Sequence, residues 1–234
     1  MKKLLSLLTA LCILFACSTA FAAGKISIEE ENFIVIKDYS LYGYAYAKVK
    51  NVGNKPIKLH AGIMEVFDSN GDTITSTDSF YNVYGKYLEP DQYTYVRMYT
   101  GLEDVTADDV DDYMLTLTGK TDNSYEDIRL SCTAEYAQNV KDGYYTHDYV
   151  YVTVTNDLDV PAYNVTAIIA LLDEDNNIWY VANDYLDSNI AIISGDSVII
   201  RFTIDSDWID YFDAHDITIT SVDAIAYTEV KKNE

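Results

Sequence analysis

Two short acidic stretches carry the residue types best suited to inorganic chemistry. Asp68-x-Asn70-x-Asp72 and Asp173-x-Asp175-x-Asn177 place side-chain oxygens at every second position. Calcium takes six to eight oxygens, and an EF-hand loop adds Gly at its sixth position and Glu at its twelfth. Those positions here hold Thr73 and Ser79 in the first stretch, Ile178 and Asp184 in the second. Asp and Asn are also what a tight turn selects, because their side chains cap their own backbone. The hairpin-turn reading leads, and its alternative is a calcium-dependent adhesion or ligand-binding module with Ca2+ held at these acids.

Other reactive types are sparse. Gly195-Asp196-Ser197-Val198 has the look of an esterase nucleophile block, but the aspartate expected three residues before the histidine is Phe212, ahead of His215. His60, His147 and His215 are too far apart in sequence to form the i, i+4 pair of a helical zinc site. No nucleophile and base are paired, so the chain reads as a non-enzyme. Cys132 is the single cysteine beyond the leader, which excludes an intramolecular disulfide and suits a small buried apolar side chain.

Aromatic residues are the richer resource. "YGYAYAKVKN" (42–51) sets Tyr42, Tyr44 and Tyr46 on alternate positions, with Gly43, Ala45 and Ala47 between them. Side chains alternate across a strand, so Ala45, Ala47 and Val49 share one face while Tyr44, Tyr46, Lys48 and Lys50 share the other. Lysines are costly to bury, so the tyrosine face is expected to point outward. It either covers backbone and packs between modules, or serves as a contact surface. The candidate contact residues are Tyr44, Tyr46, Tyr149 and Tyr151, where an unknown envelope protein or a glycan would bind.

The second pair enters because the chain contains itself twice. "YAYAKVKNVGNKPI" (44–57) aligns with "YVYVTVTNDLDVPA" (149–162) at a spacing of 105 residues. The same spacing matches Asn51 with Asn156, Pro56 with Pro161 and Asp68 with Asp173. Each copy reads as short alternating strands split by turn chemistry such as Gly53-Asn54, Asn70-Gly71 and Pro90-Asp91. Gly71 aligns with Asn176, and both tolerate the left-handed backbone of a tight hairpin. Helix is expected only near 104–113, where Thr106 and Asp109 have capping-box spacing, and near 207–212. The expected fold is all-β: two tandem immunoglobulin-like antiparallel β-sandwiches over 23–123 and 124–234.

The order "VKNVGNKPI", "MEVFDSNGD", "LEPDQYTYVRM", echoed by "VTNDLDVPA", "IALLDEDNN", "ISGDSVIIRF", resembles the FxLYD family of bacterial extracytoplasmic domains. Met64-Glu65-Val66-Phe67-Asp68 and Ile169-Ala170-Leu171-Leu172-Asp173 keep the family's Asp but lack its leading Phe and its Tyr. The resemblance implies a β-sandwich outside the cell and carries no catalytic residue with it.

The first residues agree with that address. Lys2 and Lys3, an apolar run from Leu4 to Ala16 and Ala20-Phe21-Ala22 make a signal peptide over 1–22. The run is shorter than the about 20 residues a membrane span needs. Cleavage after Ala22 leads; the alternative is a lipobox ending at Cys17, which would give a lipid anchor at the N-terminus and the protein's sole attachment to a membrane. The net charge of −22 repels nucleic acid and anionic membrane surfaces.

Overall fold

The structure is a computed structural model that describes residues 25–37, 39–78 and 85–232. The leader, with Ala22 and Cys17, lies outside them. The described residues form thirteen strands: β1 (Ile26–Lys37), β2 (Leu41–Asn51), β3 (Ile57–Phe67), β4 (Thr73–Thr77), β5 (Tyr87–Leu88), β6 (Tyr93–Gly101), β7 (Asp112–Thr121), β8 (Tyr125–Asp142), β9 (Tyr145–Thr155), β10 (Val165–Leu172), β11 (Ile178–Tyr185), β12 (Ser197–Thr203) and β13 (Ser221–Lys231). One α-helix, α1 (Ser206–Ala214), and one 3-10 turn (Ala107–Asp109) complete the elements of the described residues. The fold is all-β with antiparallel sheets. One sheet runs β1-β2-β6; a second is centred on β3, paired with β4, β5 and β7; the third runs β11-β10-β13-β8-β9-β12. Among the described residues no helix is long and apolar enough to cross a membrane.

The order of pairings repeats. β1-β2-β6 is matched by β8-β9-β12, and β4-β3-β7 by β11-β10-β13. What distinguishes the second set is the length of β8, whose 125–130 segment pairs β13 while 131–142 pair β9. The predicted inward row of Ala45, Ala47 and Val49 is buried, as are Met64 and Val66 in the first copy and Val150, Val152, Val154, Ala167, Ile169 and Leu171 in the second. The turns repeat as well, with Gly71 at φ 82° and Asn176 at φ 66°, the left-handed backbone both hairpins demand. The helical stretches stand where expected. Thr106 and Asp109 close a reciprocal capping box, and Asp205 caps α1 by accepting from the Asp207 N–H at 3.1 Å.

The cores are not two independent ones. One cluster holds Ala45, Ala47, Val49, Met64, Leu88, Val96 and Met98, all from the first copy. The other joins the second copy's interior to Ile34, Ile36, Tyr46 and Tyr95 of the first. Strand β10 explains this junction, because Ile168 and Ala170 on its second face are as buried as Ala167 and Ile169 on its first. A strand apolar on both faces must be covered on both. The first copy supplies that cover.

Candidate functional site

The tyrosine row lies on the face of β2 opposite Ala45, Ala47 and Val49, and strand β6 doubles it. Register sets Tyr44 opposite Tyr99 and Tyr46 opposite Arg97, with Tyr42 opposite Gly101. The β6 sequence Tyr93-Thr94-Tyr95-Val96-Arg97-Met98-Tyr99 alternates with the same period: Thr94, Val96 and Met98 are buried beside Val49, Ala47 and Ala45, which leaves Tyr93, Tyr95, Arg97 and Tyr99 on the tyrosine face. Two adjacent strands thus present one aromatic sheet surface with a single guanidinium in it.

That surface is not open along its length, and here the expectation of outward tyrosines is corrected. Tyr46 has no exposed surface at all. Helix α1 and β11 lie on it, and the Trp208 indole N–H donates to the Tyr46 hydroxyl at 2.8 Å. Burial pushes the Tyr46 phenol well above its ordinary pKa. The reason is geometric: Lys48 and Lys50 sit near the end of the row, where their ammonium groups reach solvent or acids such as Asp91 at 3.7 Å. The middle of the same face is left free to be covered. Asn32 of β1 adds a bond across the junction, its amide donating to the Ile178 carbonyl at 2.9 Å.

Further along β6 the junction is polar and buried. Asp223 of β13 accepts from both Tyr93 and Tyr95 hydroxyls, at 2.9 and 2.7 Å. Asp127 of β8 accepts from the Tyr87 N–H at 2.9 Å through one oxygen, while its other oxygen has no hydrogen-bond partner among the described residues. Desolvation raises its pKa to about 6, against the pull of the Tyr87 N–H and Arg129. Gly85 donates to the Tyr227 hydroxyl at 2.7 Å, and Lys232 pairs with Glu89 at 2.8 Å.

At the opposite end the row opens. Tyr42, Tyr44, Arg97 and Tyr99 meet Tyr180, Asp205, Asp207 and Trp208 around a cleft of 500 Å³. Tyr44 and Tyr99 stack with centroids 5.7 Å apart, and Trp208 meets Tyr44 edge-on at 4.9 Å and Tyr180 at 5.4 Å. Each such pair adds about 0.5–1.5 kcal/mol beyond the area it buries, so the rings form a stiff wall. Tyr99 remains 41% exposed and Tyr44 half-buried, with its phenol pushed up to about 12, chiefly by burial. Arg97 donates to the Val181 carbonyl at 3.4 Å, and its buried Nε has no hydrogen-bond partner among the described residues. Stacked rings, a guanidinium and two carboxylates converging on one concave surface suit reversible binding of a small polar ligand.

In the second copy the equivalent tyrosines do not build a cleft with a neighbouring module. Tyr149 is buried by its own strand neighbours, with the Arg201 guanidinium 4.6 Å over its ring and its hydroxyl donating to Asp142 at 3.1 Å. Tyr151 is half-buried beside it, their centroids 5.9 Å apart. Of the four tyrosines singled out from sequence, Tyr44 alone lines the cleft. Tyr42, Tyr99 and Arg97 were missed, although the period-two pattern of 93–99 was visible.

The acidic loops close on themselves. Asp68 accepts from the N–H groups of Asn70 and Asp72, both at 2.9 Å, and Asp173 accepts from those of Asp175 and Asn177 at 3.0 and 2.9 Å. The side-chain amides of Asn70 and Asn177 donate to the second carboxylate oxygens, at 3.2 and 2.8 Å. These donors hold both acids below the usual carboxylate range. Cation binding would require them to give up several of those bonds. Among the described residues no group of three His, Cys, Asp or Glu is arranged to hold a metal. Asp72 and Asp175 lie exposed in the same turns.

The repeated asparagines are brackets. Fully buried Asn51 donates from its amide to the Lys55 and Leu88 carbonyls, both at 2.9 Å, and accepts from the Gly53 N–H. Asn156 does the same with Val160 at 2.8 Å, Ile192 at 2.7 Å and Leu158. Ser197 is engaged with the Thr155 hydroxyl at 2.8 Å, and the His215 ring lies 2.8 Å from the Tyr211 carbonyl. Burial raises the Cys132 thiol, whose Sγ lies 3.4 Å from the Ala224 carbonyl.

No family model matches the chain, and no curated protein matches it. Among solved structures it is similar to the crystal structure of red sea bream transglutaminase, with 11% identity and a TM-score of 0.21, over 76% of this chain. The chain spans 27% of that protein's length. A likeness of that size carries neither fold nor activity across.

Proposed function

We propose that this chain is an exported, non-enzymatic binding protein of the cell envelope, built of two tandem immunoglobulin-like β-sandwich modules over 23–123 and 124–234 that resemble FxLYD domains. Its leader would be removed after Ala22, or at Cys17 with retention of a lipid anchor. The observation that carries the binding reading is the cleft of Tyr42, Tyr44, Tyr99, Arg97 and Trp208 at the junction. The repeated elements support the modular reading, since Asn51 and Asn156, like Asp68 and Asp173, make the same backbone brackets in each copy. Residues with bracket roles serve the fold, and the aromatic cleft is where ring faces and charged side chains converge on one concave surface.

The test is cosedimentation of the purified mature chain with envelopes from its native cells. The chain should pellet with them, and Tyr42→Ser with Tyr99→Ser should stay in the supernatant while melting at nearly the native temperature. Equal pelleting of both proteins would remove the cleft as the contact surface. The intact mass of the native protein separates the two processing routes, through a start at Ala23 or at a lipidated Cys17.

A further inference from the structure

We infer that the ligand of the junction cleft is a neutral glycan, an inference that rests on the binding reading above and narrows it. The lining contains both signs of charge, Arg97 on one wall and Asp205 with Asp207 on the other. A fixed cation, such as a quaternary ammonium seeking the tyrosine faces, would meet the Arg97 guanidinium in the same space. An anion would meet two carboxylates and the field of a chain with net charge −22. A ligand without net charge avoids both penalties.

The polar groups then specify what kind of neutral ligand fits. Arg97 offers donors only, Asp205 and Asp207 as carboxylates offer acceptors only, and tyrosine hydroxyls offer both. A sugar hydroxyl donates and accepts at once, so a polyhydroxylated ring can satisfy both walls. An apolar ligand would instead strip water from the guanidinium and both carboxylates and return no hydrogen bond of its own. The apolar C–H faces of a pyranose also need flat partners, which the Tyr42 and Tyr99 rings provide at the mouth of the cleft; Tyr99 is among the chain's exposed aromatics. The volume of 500 Å³ falls in the range of about 300–1,000 Å³ typical of small-molecule clefts. It admits a short stretch of a chain, with ends free to continue into solvent.

Placement explains why the site occurs once. The first copy contributes the rings of β2 and β6, and the second closes them with α1 and β11. The counterpart surface of β9 and β12 has Tyr151 opposite Arg201, as β2 has Tyr46 opposite Arg97. No third module covers it among the described residues, so it has one wall and no cleft.

The experiment applies the mature chain to an array of neutral and acidic oligosaccharides, with choline chloride and an arginine-rich peptide titrated in parallel by calorimetry. Binding to neutral glycans is expected, little altered by salt, and Tyr42→Ala with Tyr99→Ala should weaken it about tenfold or more, the ratio that 1.4 kcal/mol represents. Arg97→Lys, which keeps the charge but loses the planar fork, should also weaken it. Melting curves of each variant establish that the fold is retained. Binding confined to acidic glycans, choline or the peptide would overturn the inference, as would no binding to any glycan. If envelope cosedimentation is still lost in the double tyrosine variant while no glycan binds, the cleft stands and only its ligand class falls. If cosedimentation ignores that variant, both readings fall together.

Discussion

Asp127→Asn isolates the most unusual group in the junction. Asp127 is almost wholly buried, and its carboxyl has one oxygen on the Tyr87 N–H and one without a partner among the described residues. Loss of hydration is the main cause of its pKa of about 6; Glu229 raises it further, whereas Arg129 and Lys86 lower it. In the unfolded chain the same carboxyl titrates near about 3.9. The folded protein therefore holds this proton more tightly, and its stabilising effect is complete below about pH 4 and lost as pH rises through about 6. Relative to a group that stays neutral, ionisation of Asp127 costs the fold about 1.5 kcal/mol at pH 5 and about 2.8 kcal/mol at pH 8. Asparagine keeps an acceptor for Tyr87 and never ionises. Removing a charge beside Arg129 sets a constant offset between the two proteins, but the offset must drift. Urea unfolding of both proteins at pH 5, 6, 7 and 8 should show the variant gaining on the native chain by about 1.4 kcal/mol across that range. The exposed acids titrate equally in both and cancel. A difference flat with pH, or one that moves against the variant, would refute the reasoning.

Other perturbations address the remaining elements. Asn156→Asp turns the amide that feeds the Val160 and Ile192 carbonyls into a carboxylate facing them, and urea unfolding should register a loss of at least about 3 kcal/mol at neutral pH. Tyr46→Phe leaves the Trp208 indole N–H buried without its acceptor and should cost about 1–3 kcal/mol in the same assay, with the secondary structure seen by circular dichroism unchanged. Melting in calcium chloride and in chelator should give the same temperature, because Asp68 and Asp173 already serve their own backbone; a rise with calcium would restore the metal alternative.

Much of the fold was legible because it follows from local periodicity. The alternation of Ala45, Ala47 and Val49 against the tyrosines fixed which face is interior, and the left-handed backbone at Gly71 and Asn176 followed from their residue types. The duplication located the Asn51 and Asn156 brackets by position, though not by role. What alternation cannot encode is which surface meets which. Lysines at one end of a row argue for an open face, yet Tyr46, two residues before Lys48, is sealed by a helix 162 residues later in the chain. Long lysine side chains escape to solvent, so they mark the edge of a contact rather than its absence. The apolar run of β10 was the signal: a strand with Ile168 and Ala170 on its second face needs a covering surface, and the tyrosine row was the available one. The cleft required two non-local facts at once, the register of β6 beside β2 and the seating of α1.

Hydrogen exchange of the two tryptophan indole N–H groups tests the seating of the second copy on the tyrosine row most directly. Trp179 donates to Asp173 in an exposed turn, whereas Trp208 donates to Tyr46 inside the junction. With both indole signals resolved by NMR, Trp208 should exchange far more slowly than Trp179, and only as fast as the whole protein unfolds. Rapid exchange of Trp208, at a rate like that of Trp179, would mean the two copies are not joined on this face and would remove the cleft with them.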